Sequence, residues 1–150
     1  MSLTIKNLAG QTLYTSPEAR SLRDALEEAV AQGLKLAQAD LKGLNLHGAL
    51  LMGAVLPGAD LSGSDLRNAN LNRTDLAGAN LTTANLVGVN FRAANLTMAN
   101  LAQTDLSTTN FCEADLQDTL FTDADLHFTD FSQARNLAPH WLEGRARAHS

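Results

Sequence analysis

The sequence predicts a solenoid, a single chain wound into a closed coil by five-residue steps around a narrow apolar core. Three observations predict it. In "ADLSGSDLRNANLNRTDLAGANL", residues 59–81, leucine returns at 61, 66, 71, 76 and 81, always after Asp or Asn. Small residues stand two places before each leucine (Ala59, Ser64, Ala69, Thr74, Ala79), so inward candidates are spaced alternately by two and three. The register then holds without a slip from Leu36 to Phe131, twenty pentapeptides over residues 34–133.

A period of five excludes the two common elements. On an α-helix a step of five turns the side chain by roughly 140°, which scatters the leucines around the cylinder. On a flat strand an odd step alternates faces. A two-residue extended step followed by a corner resolves both problems, because bending at every fifth residue keeps Leu and the small residue inside. An internal repeat this regular outweighs any local propensity.

Within the repeat, the central position is Leu sixteen times and Phe four times (Phe91, Phe111, Phe121, Phe131). Two places earlier stands Ala eleven times and Thr five, with Leu34, Leu44, Ser64 and Val89 completing the set. The position between is Asp eight times and Asn eight, the exceptions being Lys35, Leu50, Val55 and Leu120. Asp and Asn suit corners because their short side chains bond nearby backbone groups. Gly43, Gly48, Gly53, Gly58, Gly63, Gly78 and Gly88 all occupy the last position, where they ease tight corners. No glycine follows in residues 94–133, which predicts a change of turn type between the two ends.

Uninterrupted A(D/N)LXX in tandem resembles the pentapeptide-repeat family, over residues 34–133. The resemblance implies a right-handed, four-sided β-helix with four pentapeptides per coil. Twenty repeats then make five coils: 34–53, 54–73, 74–93, 94–113 and 114–133. One feature of the sequence checks a twenty-residue coil independently: Phe91, Phe111 and Phe131 are spaced by twenty and should stack along one side. At the spacing of neighbouring strands, about 4.8 Å, the rod is roughly 24 Å long.

The chain reads as one repeat domain, 34–133, between an N-terminal cap, 1–33, and a C-terminal cap and tail, 134–150. End rungs of a stack need covering. "LTIKNLAGQTLY" reads as a hairpin about Ala9-Gly10-Gln11. Ser16-Pro17 then predicts a helix start, Ser as cap and Pro at the first position, with Leu22, Leu26, Ala29 and Val30 on one face and Gly33 as the stop. A hairpin-helix lead-in of this kind is similar to that of some phage and bacterial members of the family. At the other end a short helix from Pro139 should pack Leu137, Trp141 and Leu142 on the last coil, with a homodimer contact through the same residues as the second reading.

Composition narrows the function classes. No apolar run is long enough to span a bilayer and no secretory leader is recognisable, which argues against a membrane role. A single cysteine, Cys112, excludes an internal disulfide framework and fits a reducing cytoplasm. His47 and His127 share a side and a slot but stand four coils apart, roughly 19 Å, too far to share a metal. Asp123 and Asp125 could be read as a carboxylate pair, yet acidic residues recur throughout the repeats. Nothing matches a phosphate loop, a zinc spacing or a nucleophile elbow. The expectation is therefore no enzyme, no cofactor and no metal.

What remains is surface charge. Residues 34–93 hold four acidic residues against five basic (Lys35, Lys42, Arg67, Arg73, Arg92), whereas 94–133 hold seven acidic residues and no Lys or Arg. The seven are Asp105, Glu113, Asp115, Asp118, Asp123, Asp125 and Asp130. Glu113, Asp118 and Asp123 take the freely outward slot, with Asp115 and Asp125 beside them. They are the candidate contacts for a protein partner with a basic surface, and direct nucleic-acid binding is not expected. The family resemblance adds an alternative: some members bind DNA gyrase or topoisomerase IV by imitating DNA in shape and charge. Duplex DNA carries one charge per about 1.7 Å of axis. This chain is short, lacks projecting loops and is acidic at one end only. A dimer through the C-terminal end would bring two acidic ends together, with Arg135, Arg145 and Arg147 offsetting part of the field.

Overall fold

A computed structural model describes residues 1–141 of the chain. Three regular elements precede the repeats: β1 (Leu3–Lys6), β2 (Thr12–Ser16) and α1 (Leu22–Ala31). From there the chain advances in five-residue steps. Parallel bridges join each residue before a central Leu or Phe to the residue twenty later, from Lys35↔Val55 to Asp115↔Arg135. Twenty residues thus complete one coil, and successive coils stack like neighbouring strands.

The backbone N–H groups of a typical repeat find partners, as buried amides must. Around Leu61, the Leu61 N–H donates to the Asn80 carbonyl at 2.7 Å and the Gly63 N–H to Thr82 at 3.0 Å, both in the following coil. The Asp65 N–H returns a bond to the Leu44 carbonyl of the preceding coil at 3.0 Å, and the Ser64 N–H closes the corner onto Leu61 at 3.2 Å. The fifth, on Ser62, is accepted by the Asp60 carboxylate at 3.0 Å. All sixteen Asp and Asn residues at this position accept the N–H two residues on.

The core follows the pattern. Central residues from Leu36 to Phe121 are at most 1% exposed. The inward hydroxyls are all bonded: Ser64, Thr74 and Thr104 donate to the carbonyl three residues back, and Thr109, Thr119 and Thr129 to one 23 residues back. Phe91, Phe111 and Phe131 stack with centroids 5.2 and 5.4 Å apart and rings within 4° of parallel. Phe121, from the opposite side, meets Phe111 and Phe131 edge-on.

The corners differ from expectation. All twenty last positions of the repeats have positive φ, 55–70°, whether Gly or not. With the i to i+3 bond, this is the type II pattern. The turn type does not change toward residues 94–133; the same left-handed corner is kept there by Met98, Gln103, Thr108, Glu113, Asp118, Asp123, Phe128 and Gln133. Stacking demands one corner geometry, and the ladder imposes it on side chains that disfavour it.

At the N-terminal end β1 substitutes for a missing coil. Asp40 N–H donates to the Lys6 carbonyl and Leu8 N–H to Gln38, so the hairpin extends the ladder. α1 covers the opposite sides: the Glu27 carboxylate accepts the Leu50 N–H at 2.9 Å, and Arg23 donates to the His47 carbonyl at 2.8 Å. The helix starts five residues later than expected. Ser21, not Ser16, is its cap, accepting the Asp24 N–H at 3.0 Å. Ser16 ends β2, is fully buried, and its hydroxyl accepts from Glu18 and Ala19 in the turn that follows. Gly33 ends α1 at φ +70°: Gly33 N–H bonds Val30 and Leu34 N–H bonds Ala29, the paired bonds of a Schellman cap. At the far end, residues 139–141 are helical from Pro139. Leu142, Arg145, Arg147 and His149 lie outside the described residues.

Candidate interaction surface

The repeat positions each outward side chain by arithmetic. Residues twenty apart form a column along the rod, and residues five apart lie on successive sides. Glu113, Asp118 and Asp123 are therefore on three successive corners, and Glu113 and Asp123, ten residues apart, lie on opposite edges. The acidic end is a ring rather than a patch.

Its members are not equivalent. Asp118 and Asp123 are exposed. Glu113 is not freely outward as its slot suggested: the Arg92 guanidinium, from the neighbouring coil, binds it at 2.9 Å. The signal was present in the sequence, since Arg92 and Glu113 differ by one coil plus one residue. Asp115 accepts the Gln117 N–H and the Asn136 side-chain amide, and the latter bond is the main cause holding its carboxyl below the usual range. Asp125 is lowered by the His127 N–H and by the His127 ring it contacts. On the same side, Arg67 grips Asp65 with two donors at 2.7 and 2.9 Å, pulling that carboxyl down to about 2.

The candidate dimer residues divide likewise. Leu137 and Trp141 are half-buried against the end of the core, and the Trp141 ring meets Phe121 edge-on at 5.7 Å. Leu142 lies outside the described residues. Among the described residues no group of three or more His, Cys, Asp or Glu side chains could hold a metal ion. No described helix is long and apolar enough to cross a membrane.

The sequence model of the family "Pentapeptide repeats" matches in eight copies, over residues 25–58, 32–68, 59–97 and 99–135. This chain is a pentapeptide repeat protein. Solved structures agree on the fold: a pentapeptide repeat protein from the Arabidopsis thaliana thylakoid lumen is 23% identical, with a TM-score of 0.56 over 85% of this chain and 80% of that one. The pentapeptide repeat protein Rfr23 from the cyanobacterium Cyanothece 51142 is 33% identical over 67% of this chain and 59% of its own, with a TM-score of 0.45. A trypsin-treated form of QnrB1, described as a plasmid-mediated fluoroquinolone resistance protein, is 16% identical over 79% and 80%, with a TM-score of 0.37. No curated protein matches the chain.

Proposed function

We propose that this pentapeptide repeat protein is a non-enzymatic, cytoplasmic interaction module: a right-handed rod of five coils, capped at both ends, that offers its sides to a protein partner. The observation that carries the reading is the segregation of charge, with seven acidic residues and no Lys or Arg in 94–133. Asp118 and Asp123 are the groups best placed to meet a basic partner, because they are exposed at corners fixed by the backbone. The ring arrangement favours a partner that embraces the end of the rod over one that lies along a single side.

The same acidity favours a second reading, binding of DNA gyrase or topoisomerase IV as a DNA mimic, strengthened if two copies join through Leu137 and Trp141. A supercoiling assay separates the two. Inhibition or protection of gyrase at micromolar protein supports the mimic. Partner capture that weakens with salt, with gyrase unaffected, supports the broader module.

A further inference from the structure

The side of the rod that carries the ladder Lys35, Val55, Asp75, Asn95 and Asp115 is unlike the other three. Beside that ladder its outward columns read Ala37, Pro57, Ala77, Thr97, Gln117 and Gln38, Gly58, Gly78, Met98, Asp118. Through the first three coils the relief is low. Then Met98 stands out, 68% exposed on a corner at φ +60°. The charges within the five coils are split end to end, Lys35 in the first against Asp115 and Asp118 in the last, with Arg135 following Asp115 on the ladder.

We propose that a second copy of this chain docks on this side, antiparallel, about a two-fold axis at Ala77. Such an axis makes each column face itself while reversing the order of the coils. Met98 then meets Gly58 of the other copy, where the only atom within 4 Å of a Cβ would be the stem of Gln38, at 3.3 Å. Lys35 meets Asp115, Gln38 meets Asp118 as donor to acceptor, and Ala77 and Gly78 meet their own copies. Each pairing occurs twice, as a closed isologous interface requires. Charge complementarity sets the direction: a parallel arrangement, with its two-fold along the rod, would set the acidic coils against each other and Asp115 against Asp118. The one like pairing is Asp75 with Asp75, and that carboxylate accepts the Ala77 N–H at 3.1 Å and the Asn95 amide at 3.4 Å. A strip about 24 Å long is narrow beside a standard interface, so the dimer is weak and concentration-dependent.

Disulfide trapping in the full chain tests both surface and direction, in a Cys112→Ser background. Gln38→Cys with Asp118→Cys should yield a covalent dimer under mild oxidation. Either change alone should not, because like positions lie four coils apart, roughly 19 Å, far beyond disulfide reach. Ala77→Cys alone should cross-link to itself. Met98→Glu, with an unchanged circular dichroism spectrum, should abolish dimer in sedimentation velocity across a concentration series. A wild type that stays monomeric at every concentration overturns the proposal. So does a dimer that forms without the 38–118 cross-link or survives Met98→Glu, since it must use another surface.

Discussion

Val55 stands two residues before Pro57, and Pro57 has no N–H for a side chain at position 55 to accept. Among the twenty repeats the position is Asp or Asn sixteen times, and all sixteen accept that N–H. Val55 breaks the pattern where the pattern has nothing to bind.

The contrast with Leu120 is a direct test. Leu120 is 49% exposed, and Thr122, two residues on, has an N–H. Leu120→Asn should stabilise the protein by about 1 kcal/mol, the usual net worth of one hydrogen bond. Val55→Asn should gain nothing and lose side-chain packing. Urea denaturation of the two variants beside wild type decides it. Equal effects would mean the Asp and Asn positions are kept for another reason.

Corner geometry makes the second prediction. Gly78 sits at φ +67° with open space around a prospective Cβ. Gly78→Ala should therefore cost about 1 kcal/mol through backbone strain alone. Residues 94–133 carry a non-glycine side chain at every such corner, so amide exchange there should be faster than in 54–93. Uniform protection along the rod would show that the ladder absorbs the strain.

Much of this was legible in the sequence, and the failures are informative. Period five, with Leu or Phe at its centre, named the buried side chains because each coil has only one inside. Phe91, Phe111 and Phe131 could be stacked by counting. Ser16-Pro17 misled because it matches a helix start locally, while β2 needs Ser16 as its last residue to complete the hairpin. The corners misled because φ was inferred from glycine, and tertiary stacking overrides that preference at thirteen positions. Glu113 looked free because its partner comes from another coil, visible only when position 92 is laid beside it.

Acid should lower the protein's stability in a defined window. Asp65 titrates at about 2 rather than its ordinary 3.8, chiefly because the Arg67 guanidinium bonds its charged form. A folded-state pKa lowered in this way adds stability above the unfolded value near 4 and loses it as pH falls toward 2. Asp115 and Asp125 shift in the same direction. Carbon-detected NMR titration should find the Asp65 midpoint near 2, moving upward in Arg67→Ala. An unmoved midpoint would remove the guanidinium as the cause.

Core chemistry makes the strongest prediction about stability. Leu76 is wholly buried in the central coils. Leu76→Ala should cost about 2–5 kcal/mol, and Leu76→Asp should unfold or split the stack, since a carboxylate there has no partner. Leu76→Phe should be better tolerated, as Phe holds equivalent sites. Circular dichroism melts of the three variants should place Leu76→Asp lowest.

For the acidic end, Glu113, Asp118 and Asp123 should be reversed to Lys singly as well as together. A partner that encircles the rod should weaken with each of Asp118→Lys and Asp123→Lys, and the triple variant should lose both partner capture and any effect on gyrase supercoiling. Capture left intact by the triple variant would return the charge to a solubility role. Glu113→Lys alone also strands Arg92, so it is read against Arg92→Ala.

The columns make length a quantised property. Because coils register at twenty residues, duplicating four consecutive pentapeptides lengthens the rod by one rung of about 4.8 Å and leaves every later column where it was. Duplicating a single pentapeptide keeps Leu inside yet turns everything downstream through a quarter of a circuit. Placed between residues 93 and 109, it would take Phe111 off Phe91 and Glu113 off Arg92. A gene of this kind can grow or shrink cheaply only in steps of sixty bases, and its relatives should differ in length by whole coils between conserved ends.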